Sequence, residues 1–181
     1  MKKLITLVAI IASIASINAQ EYQKYIKNDR IVEGIRIVET TPATFVSHNE
    51  IYMIAWNYLS SPSDNVDEYY LSLYCSQEKG TWNIAAGDKL YLGIALEDEY
   101  IELIALTDAE PEAIDGIKYS IRANFLVPKT SYDKLYKGID RLKITTRVNK
   151  STPTLLDVRL PFSAIEHMLM AYLHIMMATG R

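Results

Sequence analysis

The chain has 181 residues, 49% of them hydrophobic and 23% charged, with a formal net charge of −3. That length can bury a sizeable core without help from a disulfide or a metal. A mildly acidic chain lacks the concentrated positive surface that phosphate backbones require, so nucleic acid is not an expected partner.

Lys2 and Lys3 precede an uncharged apolar run from Leu4 to Ile17, and Asn18-Ala19 then gives way to Gln20-Glu21. A basic start, a short apolar core and a small residue at the cut make a secretory signal peptide. The run falls short of the roughly 20 residues of a membrane-spanning helix, and no cysteine near the cut offers a lipid attachment point. Cleavage is predicted after Ala19, which leaves residues 20–181 as a single domain with no transmembrane segment. Loss of Lys2 and Lys3 takes the net charge to −5. The expected setting is the periplasm or the extracellular space of a Gram-negative bacterium.

Along the rest of the chain the dominant signal is apolar alternation with a period of two, which predicts β-strands. The expected strands are 31–40, 50–59, 68–76, 81–85, 89–96, 100–107, 117–127, 139–148 and 155–160. Turn chemistry separates them at Ser60 to Asn65, Glu78-Lys79-Gly80, Gly87-Asp88 and Asp108 to Gly116. Glu97-Asp98-Glu99 is a short connection without Gly or Asn, which suits a slightly longer or bulged hairpin. Cys75, the only cysteine, alternates with Tyr69, Leu71 and Leu73 on the more apolar side of its strand. This favours a buried thiol acting as a small hydrophobe over a nucleophile or an intermolecular disulfide. An intramolecular disulfide is excluded. Tyr70 and Tyr74 share the more polar side with Ser72 and Ser76, where exposed rings can stack on sugars or simply cover a pleated surface. Trp56 and Trp82 are expected in the core.

Two segments break the strand pattern. Residues 128–137 place Tyr132, Leu135 and Tyr136 at helical spacing before Gly138, predicting a short helix. Ser163-Ala164-Ile165-Glu166 reads as a capping box that opens a C-terminal helix to about Ala178, with Gly180 placed to end it. Ile165, Met168, Leu169, Met170, Tyr172, Leu173, Ile175, Met176 and Met177 cover well over half its circumference. Such a helix is sunk in the protein or faces a partner; packing on the sheet is the favoured reading, with a homodimer through this helix as the other.

The last three strands each have one apolar and one charged side, the pattern of an antiparallel sheet half in water. If they are neighbours, Lys118, Arg122, Arg141, Lys143, Arg147 and Arg159 form a basic face relieved only by Asp157. That face would suit an acidic glycan, a lipid head group or an acidic partner, or it is a solvated surface with cross-strand ion pairs.

Motifs for chemistry are scarce. His167 and His174 are seven positions apart on one helix, about 10.5 Å of rise, too far for a shared metal. His48 precedes a strand. Asp108, Glu110, Glu112 and Asp115 cluster, without the spacing of a calcium loop; the acids around Glu97 to Glu102 lie at a hairpin tip, without the cleft a glycosidase needs. Nucleophile-elbow, dinucleotide, phosphate-loop and zinc-protease motifs are missing. No catalytic residue, metal ligand or cofactor site is therefore assigned. Asn149-Lys150-Ser151 is a glycosylation sequon, idle in a bacterium.

The Lys-Lys start, the Asn18-Ala19-Gln20 junction, Trp82, Gly87-Asp88-Lys89-Leu90-Tyr91-Leu92, Ile101-Glu102-Leu103, Tyr119-Ser120-Ile121 and Arg141-Leu142-Lys143-Ile144 resemble small exported proteins of unknown function from Bacteroides-type gut bacteria. The resemblance spans residues 1–20 and 80–148 and implies an envelope or secreted setting, with no activity attached. The expected fold is α+β: a mostly antiparallel meander with a short helix near 128–137 and a C-terminal helix on its apolar face. The expected function is an exported, non-catalytic binding or envelope-associated protein. Its partner is a glycan or another envelope protein, met through Tyr70, Tyr74, Arg122, Arg141, Lys143, Arg147 and Arg159. The alternative is a secreted hydrolase of glycan or peptide, which needs a cleft gathering His48 or paired carboxylates.

Overall fold

The computed structural model describes residues 24–78, 82–95, 97–115, 118–148 and 152–180. The expected leader and the 149–151 sequon lie outside the described residues. Eleven strands among them join into one antiparallel sheet. They are β1 (Ile26–Val32), β2 (Ile35–Thr40), β3 (Ala43–Ser47), β4 (Glu50–Ser61), β5 (Val66–Glu78), β6 (Lys89–Ile94), β7 (Tyr100–Ala105), β8 (Glu112–Asp115), β9 (Lys118–Leu126), β10 (Ile139–Thr146) and β11 (Thr154–Arg159). A 3-10 turn (Lys129–Ser131) leads into the one-turn helix α1 (Tyr132–Leu135), and α2 spans Phe162–Thr179.

The sheet runs β1-β2-β4-β5-β9-β7-β6-β10-β11. β3 pairs with the first half of β4, and β8 with the start of β9. Register explains the core, because inward residues line up in rows across strands. Trp56 stands opposite Leu71, which stands opposite Phe125; Ile54, Leu73 and Ala123 form the next row, and Tyr52, Cys75 and Ile121 the one after. Leu142 faces Leu92, and Leu92 faces Ile101. All of these side chains are buried, and each fully buried aliphatic contributes about 1.5–3 kcal/mol by leaving water.

The C-terminal helix packs on that apolar face, as its composition predicts. It touches β1, β2, β3 and β4 near one end of the strand order and β10 near the other, so the sheet curls around it. Ala164, Met168, Ala171, Tyr172, Ile175 and Met176 face inward. Leu169 and Leu173 are half-buried, whereas Phe162 and Met177 are 79% and 64% exposed.

Several local expectations are corrected. The strand expected at 31–40 is a hairpin, β1 to β2, turning through Glu33-Gly34 with positive φ at both residues. β3 has no counterpart among the strands that alternation predicts, and His48-Asn49 form its tight turn into β4, again with positive φ at both. Such double-positive turns match the twist of the strands they join. Residues 82–85 form no strand. Asn83 bridges Arg147 and Ile84 bridges Ala109, so successive residues pair with different neighbours and no ladder develops. Part of the acidic stretch expected as a turn is β8. The capping box is not made: α2 opens at Phe162 behind Pro161, whose carbonyl accepts from Ala164 and Ile165, and no side chain caps it. At the other end Gly180, φ +78°, closes the helix in the left-handed conformation.

Candidate functional site

The outward residues of β2, β4, β5 and β9 line a groove of about 570 Å³, within the 300–1,000 Å³ range of small-ligand sites. Alternation places them. Ile37 and Glu39 come from β2, Met53, Ala55, Asn57 and Leu59 from β4, Tyr70, Ser72 and Tyr74 from β5, and Arg122 and Asn124 from β9. Lys27, Pro42 and Leu106 add to the walls.

Register orders the groove floor. One row is Met53, Tyr74 and Arg122; the next is Ala55, Ser72 and Asn124; a third holds Asn57 and Tyr70. A hydrogen-bond relay crosses the floor. Asn57 Nδ2 donates to Ser72 Oγ at 2.7 Å, and Ser72 Oγ donates to Asn124 Oδ1 at 2.5 Å. Tyr70 donates its hydroxyl to Glu68; burial and that bond push the Tyr70 phenol up to about 12. Among the described residues Arg122 has no ion-pair or hydrogen-bond partner. The groove's other charges are one of each sign, Lys27 and Glu39, and Glu39 accepts from Asn28.

Of the seven residues that sequence patterning nominates, Tyr70, Tyr74 and Arg122 therefore meet in one groove. The other four stand apart from it. β7 and β6 lie between β9 and β10, so the basic face expected from three adjacent strands is split. On the β10 side the cations are engaged locally. Arg141 donates to Tyr100 Oη at 3.1 Å and lies 3.8 Å from Asp157 Oδ1, while the Lys143 ammonium sits 4.2 Å from the Tyr100 ring centre. These two cations hold the Tyr100 phenol below its ordinary range. Arg147 forms a forked ion pair with Asp88. Arg159 is exposed on β11. A smaller hollow of about 300 Å³ beside Arg141 is lined by Gly93, Glu97, Asp98, Tyr100 and Asp140.

Sequence reasoning missed Asn57, Ser72 and Asn124 as a unit, because alternation shows which way each points but not which strands adjoin. β5 and β9 are far apart in sequence, and no local signal pairs them.

The reactive residue types are otherwise placed. Cys75 is fully buried, and its thiol lies 3.4 Å from Glu50 Oε2, which also accepts from Tyr52 Oη at 2.8 Å. Burial first, and then the Glu50 carboxylate, push the thiol up from its ordinary value, which keeps it protonated. His48 is exposed in its turn, with Nδ1 3.0 Å from Ser47 Oγ. His174 is buried and stacked on Tyr25, and His167 is half-buried with Nε2 2.9 Å from Thr41 O. Among the described residues no group of His, Cys, Asp and Glu is placed to hold a metal ion. Nor is any helix there long and apolar enough to cross a membrane.

No family model, curated protein or solved structure matches the chain.

Proposed function

We propose that the chain is an exported, non-catalytic binding protein whose small organic ligand lies in the groove over Tyr70, Ser72 and Tyr74. The observation that carries this reading is the groove itself. It combines apolar walls with a few convergent polar groups, the usual make-up of a ligand site, and it gathers three residues nominated by sequence. Export is proposed on Lys2, Lys3, the apolar run 4–17 and the small residue Ala19.

The test is chemical-shift mapping on the labelled domain, residues 20–181, against a panel of sugars, organic acids and short peptides. Shifts clustering at Ala55, Asn57, Ser72 and Asn124 are expected. Shifts confined to the β10–β11 surface, or none with any compound, would remove the groove from consideration.

A second reading concerns self-association. The outer side of α2 carries Phe162 and Met177, both exposed, with Leu169 and Leu173 half-buried between them. Two copies meeting through these stripes would sediment as a dimer, and Phe162→Ser with Met177→Ser would return the domain to a monomer. A wild-type monomer at high concentration ends this reading.

A further inference from the structure

The proposal deepens the groove reading and rests on it: we infer that the ligand is an amphipathic organic anion. Its carboxylate sits at Arg122 and Asn124, and its carbon body lies over Met53, Ala55, Leu59 and Ile37.

Three observations converge on that chemistry. The first is the direction of the relay. Asn57 donates to Ser72 and Ser72 donates to Asn124 Oδ1, so the acceptor of Asn124 is consumed. Its Nδ2 is left as a donor with no acceptor among the described residues. Asn124 and Arg122 are two positions apart on β9, so both project into the groove about 6.6–6.8 Å from each other along the strand. That corner therefore offers N–H groups, and a carboxylate accepts from such groups through both of its oxygens.

The second observation is charge. Lys27 and Glu39 cancel on the opposite wall, so Arg122 is the uncompensated charge of the lining. Lys89 and Arg147 are matched to acids, Glu102 and Asp88, while Arg159 is exposed on β11 outside the groove. A single uncompensated, exposed cation along the groove favours a singly charged anion over a polyanion.

The third is the distance and character of the rest of the floor. From Arg122 on β9 to Ile37 on β2 the groove crosses β5 and β4, about 14 Å across three strand spacings, and runs about 20 Å along the strands from the Met53 row to Leu59. Beyond the Ser72 relay, Leu59 stands directly opposite Ile37, next to the Glu39 and Lys27 of that wall. A fully polar ligand would leave Met53, Ala55, Leu59 and Ile37 uncovered; a carbon chain or fused-ring body covers them and gains by leaving water.

The experiment is isothermal titration of the domain, residues 20–181, below micelle-forming concentrations, with three probes: dodecanoate, dodecan-1-ol and dodecyltrimethylammonium. They share a chain and differ in head-group charge. Dodecanoate is expected to bind most tightly and the ammonium least. Arg122→Gln should weaken dodecanoate roughly ten-fold or more, the scale of a lost charge-assisted hydrogen bond, and leave dodecanol unchanged. Asn124→Asp should weaken it further by adding repulsion, while Arg159→Gln, which alters an exposed cation outside the groove, should change nothing. Equal binding of dodecanoate and dodecanol, with no effect of Arg122→Gln, overturns the anion while leaving the groove as a ligand site. Binding of none of the three overturns the amphipathic ligand, and the shift mapping then judges the groove separately.

Discussion

Trp56 donates its indole N–H to the main-chain carbonyl of Met168 across 3.0 Å, and the Tyr172 ring lies tilted against it with centroids 5.3 Å apart. The contact ties the middle of β4 to the middle of α2. Other polar tethers share the work, with Tyr172 donating to Tyr132 O at 3.0 Å and Arg36 donating to Ala178 O at 2.9 Å. Trp56→Phe removes the donor and part of the ring volume, so it should destabilise the domain by roughly 1–3 kcal/mol in urea unfolding. Met177→Ser, on the exposed side of the same helix, should stay within about 0.5 kcal/mol of the parent. Equal shifts for the two would mean that the helix does not dock through this face.

The Cys75 thiol gives a direct probe of the other end of the core. It is fully buried, lies beside Glu50, and is pushed up in pKa by burial and by that carboxylate. Only the thiolate attacks disulfide reagents. Ellman's reagent should therefore find no reactive thiol in the native protein at neutral pH, and one per chain once denaturant unfolds it. Rapid native labelling would place Cys75 in an accessible, activated site and revive a role for it as a nucleophile.

Much of this architecture is legible in the sequence, and the failures have physical causes. Period-two alternation places β4, β5, β9 and β10 correctly, because half-wet strands must alternate. It misses the β1–β2 and β3–β4 turns because Glu33-Gly34 and His48-Asn49 both take positive φ at two successive residues, a geometry usually announced by Asn-Gly. Alternation also cannot say that β9 lies beside β5 and away from β10, which decides that Arg122 joins Tyr70 and Tyr74 and that Arg141, Lys143 and Arg147 do not.

The start of α2 offers a sharp check on one such failure. Ser163-x-x-Glu166 has the spacing of a capping box, yet Pro161 opens the helix two residues earlier and Ser163 sits exposed in the first turn. A Ser that capped the helix would cost about 1 kcal/mol on replacement by Ala. Ser163→Ala is instead expected to leave the unfolding midpoint unchanged within error, and a loss near 1 kcal/mol would restore the box.

The pH dependence of stability should carry the mark of Asp88. This buried carboxylate receives Arg147 Nε at 2.8 Å and Nη2 at 2.6 Å, together with the Ala85 amide at 2.8 Å. The Arg147 hydrogen bonds hold its carboxyl below the usual value, against the opposing pull of burial. Because the folded pKa lies below the unfolded one, the native state binds fewer protons than the unfolded chain over the interval between them. The stability from this site is therefore fully present above the ordinary aspartate range near 3.9 and drains away as pH falls through the folded value. Asp88→Ala removes the acceptor for Arg147 and for the 85–88 turn, so it should cost about 1–3 kcal/mol at pH 7, the range for hydrogen bonds to charged groups. It should cost less at pH 3, where part of the parent's advantage has gone. Urea midpoints of parent and variant measured at both values decide the matter: a difference that stays constant or widens in acid would mean that Asp88 does not hold its proton affinity down through Arg147.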